Sequence, residues 1–229
     1  MPAKNIVKFY LDNSIYHIYN RGVEKRKIFM DEQDYKVFLN YLKEYLSSPQ
    51  RTSSTNLQGG TLQINYHSRN NFSDEISLLA FCLMPNHVHL LIRQKDKNSI
   101  KKFTKSLFTR YSMYFNKKYD RVGPLFQSSY KATNVINKDY LLDITRYIHK
   151  SPLKFTKNLI DTYTSYAHYL GLFNISWVKN KEVLDYFNES GFIKHNKIKS
   201  YKYFVEEFKY KSEDLDLSKE PEGFHPASS

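Results

Sequence analysis

The sequence predicts an α+β fold in which an antiparallel sheet is backed by helices, and three observations carry that prediction. Apolar residues alternate with period two around Ser14–Arg21 and fill two short runs between Leu78 and Gln94. They recur at spacings of three and four from about Asp31 to Leu46, Ser99 to Lys118 and Lys138 to Lys150. The resulting order is strand, helix, strand, strand, helix, strand, helix. A chain of 229 residues suits one domain with an appendage, or two small domains, and can bury a real core.

Each element has a local reason. In the first strand Ile15, His17 and Tyr19 share one face, with Tyr16, Ile18 and Asn20 on the other, and Arg21-Gly22 ends it. The first helix carries Tyr35, Phe38, Leu39 and Leu42 as an apolar stripe, with Asp31 placed to cap it. Ser47 to Asp74 turns to Ser, Thr, Asn, Gln and Gly, which reads as an exposed insertion holding a short hairpin near Thr61–Tyr66. Ser99–Lys118 repeats Ile100, Phe103, Leu107, Tyr111 and Tyr114, and carries Lys101, Lys102, Lys105 and Arg110 opposite them. This basic face is either solvated or a phosphate track running on to Arg121. Gly123-Pro124 breaks the chain before a strand-like segment, Leu125–Val135, with Gln127, Tyr130 and Lys131. A helix from about Lys138 to Lys150 follows, and Pro152 stops it.

The centre of the chain is LLAFCLMPNHVHLLIRQ, Leu78 to Gln94, two buried strands meeting at a Met-Pro-Asn corner. His87 and His89 point to one face and Val88 to the other. Such a pair is either two hydrogen-bonded residues on a half-polar face or two ligands of one metal ion. Cys82, the single cysteine, excludes a disulfide framework and a cysteine-rich zinc site, and reads as a small buried hydrophobe. Tyr147 lies about 100° from Ile148 around its helix, at the edge of the Leu141, Ile144, Ile148 stripe, where it can face the sheet margin. With 20 tyrosines in the chain, position alone does not single it out.

Composition narrows the function class. A net charge of +12 interleaved with 20 Tyr and 16 Phe suits a nucleic acid, cations meeting phosphate and rings stacking on unpaired bases. No apolar run approaches the roughly 20 residues that span a bilayer, and the N-terminus lacks a signal-peptide segment, so a cytosolic protein is expected.

Several strings occur together in family order: Tyr16-His17-Ile18-Tyr19-Asn20-Arg21-Gly22 with Ile28-Phe29, Met84-Pro85-Asn86-His87-Val88-His89-Leu90-Leu91, Tyr111 to Asn116, Gly123-Pro124-Leu125-Phe126-Gln127, Arg146-Tyr147-Ile148-His149 and Tyr166 to Gly171. In them the chain resembles the HUH single-tyrosine transposases, most closely the REP-associated tyrosine transposases. The resemblance covers about residues 14 to 172, and Trp177–Phe187 is similar to a further family segment. It implies a ferredoxin-like (RRM-like) antiparallel sheet backed by helices, in agreement with the element order. It also implies a transposase and nuclease domain over 1–175, within which composition makes about 47–75 a flexible insertion; a helical extension and disordered tail are expected over 176–229.

Residue by residue, the resemblance makes His87 and His89 the ligands of Mg2+ or Mn2+ and Tyr147 the nucleophile. The family's third ligand is commonly an amide one helical turn after the tyrosine, where this chain has Ser151, a weaker donor. Asn20, Arg21, Lys101, Lys102, Lys105, Arg110, Arg121, Gln127 and Lys131 are the expected DNA contacts. The implied partner is single-stranded or hairpin DNA, bound by a monomer or homodimer in a prokaryotic cytoplasm at the nucleoid. A phenol of pKa about 10 is a poor nucleophile at neutral pH and needs help from its surroundings. A rival reading is a domesticated relative that grips hairpin DNA or RNA without cutting. Another is an unrelated metallohydrolase with a water nucleophile.

Overall fold

A computed structural model describes residues 10–48, 51–55, 61–65 and 71–208. The alternating residues near the N-terminus form β1 (Ile15–Arg21), and the first helical stripe forms α1 (Glu32–Leu46). Asp31 caps α1 in a capping box, its side chain accepting from the Asp34 N–H while the Asp34 carboxylate accepts from the Asp31 N–H. Strands β2 (Arg51–Thr55) and β3 (Thr61–Asn65) pair as a separate antiparallel hairpin within the polar insertion. The ends of that insertion are tied together: the Asn71 amide donates to the Ser47 carbonyl at 2.7 Å and Phe72 N–H to the Tyr45 carbonyl at 2.7 Å. The expected flexibility of 47–75 falls partly on residues 49–50, 56–60 and 66–70, and the expected tail partly on 209–229, all outside the described residues.

The two central strands are β4 (Ile76–Met84) and β5 (His87–Gln94), followed by α2 (Ser99–Lys118), β6 (Lys131–Asn134) and α3 (Lys138–Lys150). The sheet order is β4-β5-β1-β6, every pairing antiparallel. Two hairpin strands flanked by crossover helices, with β1 inserted between β5 and β6, is the expected ferredoxin-like topology. A register shift between Leu78 and Ala80 puts Leu79 and Ala80 on the same side of β4, and alternation resumes after it.

The sheet is covered on both faces. Tyr16, Ile18, Val88, Leu90 and Ile92 pack against Phe38 and Leu42 of α1 and Phe103 and Leu107 of α2. On the other face Ile15, Leu91, Cys82 and Met84 pack against Leu141, Ile144 and Ile148 of α3. Cys82 is the buried hydrophobe expected, and burial pushes its thiol pKa up. The short helices α4 (Tyr166–Tyr169), α5 (Lys181–Glu189), α6 (Gly191–His195) and α7 (Tyr201–Glu206) complete that second layer. Val183, Phe187, Tyr201, Phe204 and Val205 enter the same core as α3, so the C-terminal helices share the sheet's core rather than trailing from it.

The strand expected over Leu125–Val135 is shorter than its sequence suggests. Only Lys131–Asn134 pairs as β6, and before it a lone bridge joins Phe126 to Gly22. The cause is Asn20, whose amide nitrogen donates to the Ser128 carbonyl at 3.2 Å and the Ser129 carbonyl at 2.8 Å, holding that stretch as a loop.

Helix α1 is locked to α2 through Asp34. Its buried carboxylate accepts from Lys118 Nζ at 2.8 Å, Tyr114 at 3.0 Å, Tyr119 at 2.8 Å and Met30 N–H at 2.7 Å. Burial alone would raise its pKa; the hydrogen bonds from Lys118, Met30, Tyr119 and Tyr114 outweigh it and hold the group below the usual carboxylate range. Asp34→Asn is expected to cost about 1.5–3 kcal/mol in urea denaturation at pH 7. Because the folded pKa is depressed, this contribution is present above the unfolded value of about 4 and is lost as pH falls through the lower folded value. The gap between wild type and variant should therefore close on acidification, and a gap that widens would refute the assignment.

Candidate active site

The site lies on the α3 face of the sheet, at the β4–β5 corner. Register sets Tyr19 opposite His89 and Arg21 opposite His87. Since side chains alternate, His17, Tyr19 and Arg21 of β1 and His87 and His89 of β5 all point toward α3. The backbone turns sharply there. Gly22 N–H donates to the Asn86 carbonyl at 2.9 Å, and a Cβ at Gly22 would stand 2.3 Å from the Arg26 carbonyl oxygen, so only glycine fits.

Tyr147 meets this face from above. Its half-buried ring stands perpendicular to His89, centroids 5.5 Å apart, and edge-on to His17 at 6.3 Å. His87 and His89 are themselves perpendicular at 4.8 Å. The rotation of α3 that aims Tyr147 downward is fixed by its neighbours. His149 is fully buried between Tyr201, 2.8 Å from its Nδ1, and Ser165, 2.8 Å from its Nε2, and Arg146 donates to the Phe204 carbonyl at 2.5 Å.

The imidazoles are neutral at physiological pH. Burial pulls His17 down to about 3 and His87 down to about 4, the latter helped by Arg21 and Lys154. His89 lies well below its ordinary value through burial and the nearby His17, His87 and Lys154. Neutral histidines keep a lone pair, the form in which they bind a metal. His87 Nδ1 is 2.6 Å from the Asn86 side-chain oxygen, and His89 Nε2 is buried with no hydrogen-bond partner. This donor set fits a divalent ion held by two imidazoles, with other positions left for substrate and water. Among the described residues, no group of three or more His, Cys, Asp or Glu side chains is arranged to hold a metal. Ser151 Oγ donates to the Tyr147 carbonyl at 2.7 Å, which occupies its proton as a helix cap and leaves only its lone pairs for an ion.

The expected DNA contacts separate into groups. Arg21 stands opposite His87 on the neighbouring strand, Gln127 N–H donates to the Arg21 carbonyl at 2.8 Å, and the Lys131 ammonium stands 5.6 Å from the Tyr19 ring. The Arg21 Nε is buried without a hydrogen-bond partner. Lys101, Lys102, Lys105 and Arg110 lie on α2, across the sheet from Tyr147. There Lys102 pairs with Glu75 at 3.5 Å and Arg110 with Glu44 at 2.9 Å. Arg121 follows α2 and donates to the Asn116 side chain at 2.9 Å. Asn20 points to the α1–α2 layer, 2 % exposed, its amide spent on loop carbonyls. Sequence reasoning missed the roles of His17, Tyr19, Asn86 and Lys154. The face shared by Ile15, His17 and Tyr19 was legible, but the pairing of β1 with β5 was not.

Residues 61–151 match the family model described as transposase IS200 like. The matched stretch takes in His87, His89 and Tyr147 and spans less than half of the chain. Among solved structures, it is similar to a REP-associated tyrosine transposase bound to a REP hairpin. The TM-score is 0.51 at 12% identity, over 77% of this chain and 92% of that one, a likeness of fold. A candidate transposase from Deinococcus radiodurans aligns with TM-score 0.36 and 17% identity over 65% of this chain and 95% of that one. No curated protein sequence matches the chain. Among the described residues no helix is long and apolar enough to cross a membrane.

Asn20→Ala is expected to lower stability by about 1–3 kcal/mol, because Ser128, Ser129 and Arg21 backbone groups lose their partner. Unchanged urea denaturation would mean that those bonds do not hold in solution.

Proposed function

We propose that the chain is a metal-dependent endonuclease and strand transferase acting on single-stranded DNA beside hairpins, with Tyr147 as nucleophile. The observation that supports this is a half-buried tyrosine held edge-on to a neutral histidine pair, with Arg21 opposite His87 and Lys131 over the Tyr19 ring beside it. The transposase of similar fold was solved with a REP hairpin, which makes a hairpin the substrate to test.

His87 and His89 would hold a bound Mg2+ or Mn2+, which supplies charge stabilisation at the scissile phosphate. The rest falls to the chain's own residues. The Tyr147 oxygen attacks phosphorus and releases its proton to solvent; the bond to the 3′-oxygen breaks, and that oxygen leaves and takes up a proton. The product is a 5′-phosphotyrosine. Since the ester conserves the phosphodiester bond energy, a second DNA 3′-hydroxyl can attack it, restoring the phenol and joining strands without ATP. Arg21, with an uncommitted buried Nε–H, is placed to receive a phosphate oxygen, and the Tyr19 ring offers a base a stacking face. The α2 cations and Arg121 contribute to the general positive field rather than gripping the scissile strand.

A second reading, a relative that holds hairpin DNA or RNA without cutting, draws on Ser151, whose hydroxyl is tied to the Tyr147 carbonyl. Labelled hairpin substrates separate the two. With Mn2+ and a denaturing protein gel, wild type is expected to retain label through the DNA 5′-phosphate. Tyr147→Phe should lose it while unfolding at nearly the wild-type temperature. Bound but intact DNA with wild type would favour the second reading. Retention by Tyr147→Phe would require another nucleophile. Tyr111 and Tyr114 are poor candidates, because their hydroxyls are bonded to the Ile28 carbonyl and to Asp34 on the opposite face.

Binding should also depend on salt in a residue-specific way. Lys131→Ala is expected to reduce the slope of log affinity against log salt by about 0.7 for single-stranded DNA, and Lys101→Ala and Lys105→Ala by much less. Equal effects at all three would remove the distinction between the two basic groups.

A further inference from the structure

His17 is a buried imidazole that neither binds the implied metal nor reacts in the chemistry above. Its Nε2 lies 2.9 Å from His89 Nδ1, with the rings nearly parallel at 20° and centroids 5.1 Å apart. Both side chains are almost completely buried, 1 % and 3 % exposed. Two neutral imidazoles at this distance share one proton, so one nitrogen donates and the other accepts. If His17 Nε2–H donated, His89 would carry its own proton on Nε2, a buried nitrogen with no acceptor. A desolvated donor without a partner is costly. If His89 Nδ1–H donates instead, its Nε2 presents a lone pair, which is what a cation takes.

The neighbouring histidine follows the same rule. Asn86 Nδ2 donates to the Lys25 carbonyl at 3.3 Å, which turns the amide oxygen toward His87, 2.6 Å from its Nδ1. His87 therefore donates from Nδ1 and also leaves Nε2 bare.

We infer that His17 is a positioning residue that holds His89 in the Nδ1–H tautomer, as Asn86 holds His87, so that both Nε2 lone pairs are fixed for one ion. The inference rests on the metal-dependent reading above. It makes β1 part of the metal centre. An outer acceptor of this kind typically accounts for 10–100-fold in metal affinity.

The test uses the full chain. Long-range 15N–1H spectra of the wild-type protein without metal report the tautomer of each histidine, and Mn2+ affinity is measured by electron paramagnetic resonance. His89 is expected as Nδ1–H in wild type. His17→Phe, which keeps a ring but no acceptor, should bind Mn2+ about 10–100-fold more weakly and release His89 from that tautomer. His17→Gln, whose side-chain oxygen reaches the position of Nε2, should restore both, whereas a residue needed only for packing would favour Phe over Gln. An Nε2–H tautomer of His89 in wild type overturns the inference, even if the variants fail to fold. So does a folded His17→Phe with wild-type Mn2+ affinity. Wild type that holds the Nδ1–H tautomer yet binds no Mn2+ would support the hydrogen-bond assignment and refute the metal-dependent reading instead.

Discussion

Antiparallel pairing of β1 with β5, with Arg21 opposite His87 and Tyr19 opposite His89, is the constraint on which the rest depends. Because side chains alternate, one register decides two things at once. It sends Ile18, Val88, Leu90 and Ile92 into the α1–α2 core and gathers His17, Tyr19, His87 and His89 on the opposite face. A slip of one residue would turn the histidines into the α1–α2 core and send Val88, Leu90 and Ile92 to the α3 face, so the hydrophobic core itself enforces the geometry of the site. Gly22 and the Pro85-Asn86 corner close the end of this ladder, since Ile28 and Phe29 N–H groups both donate to the Pro85 carbonyl, at 2.8 and 3.1 Å.

The tyrosine is governed by a different layer. Helix α3 is held against the sheet by Leu141, Ile144 and Ile148, yet apolar contact alone leaves its rotation loosely defined. The directional bonds of His149 to Tyr201 and Ser165, and of Arg146 to the Phe204 carbonyl, remove that freedom. Ser165 in turn accepts from the Phe81 N–H at 3.0 Å, which connects α3 to strand β4. The C-terminal helices thus act on the site through a largely buried polar network whose partners must all be present.

Positive charge is spread over both layers, and its location matters more than its amount. The net charge of +12 gives the molecule a field that attracts polyanions in general. Lys102 and Arg110 spend part of their charge on Glu75 and Glu44, whereas Arg21 and Lys154 bear on the histidines, helping to keep them uncharged. Arg21 and Lys154 therefore favour the uncharged form of the imidazoles, the one that keeps a lone pair.

The sequence by itself determined β1, the central strand pair and the three long helices. Period-two and period-three-and-four patterns marked α2 and α3 at their observed ends, Asp31 as a cap, and His87 and His89 as sharing a face, because these depend on residues close in the chain. It overextended β6, since the Asn20 amide that takes the Ser128 and Ser129 carbonyls comes from far upstream. It grouped the α2 lysines with Arg21 and Lys131, since charge is visible in composition but the side of a sheet is not. Tertiary structure alone decided that β1 lies between β5 and β6, that His17 therefore meets His89, and that Tyr147 stands over both. Those contacts join residues up to 130 positions apart, and separations of that kind are fixed by which faces can be buried together, not by any local preference of the chain.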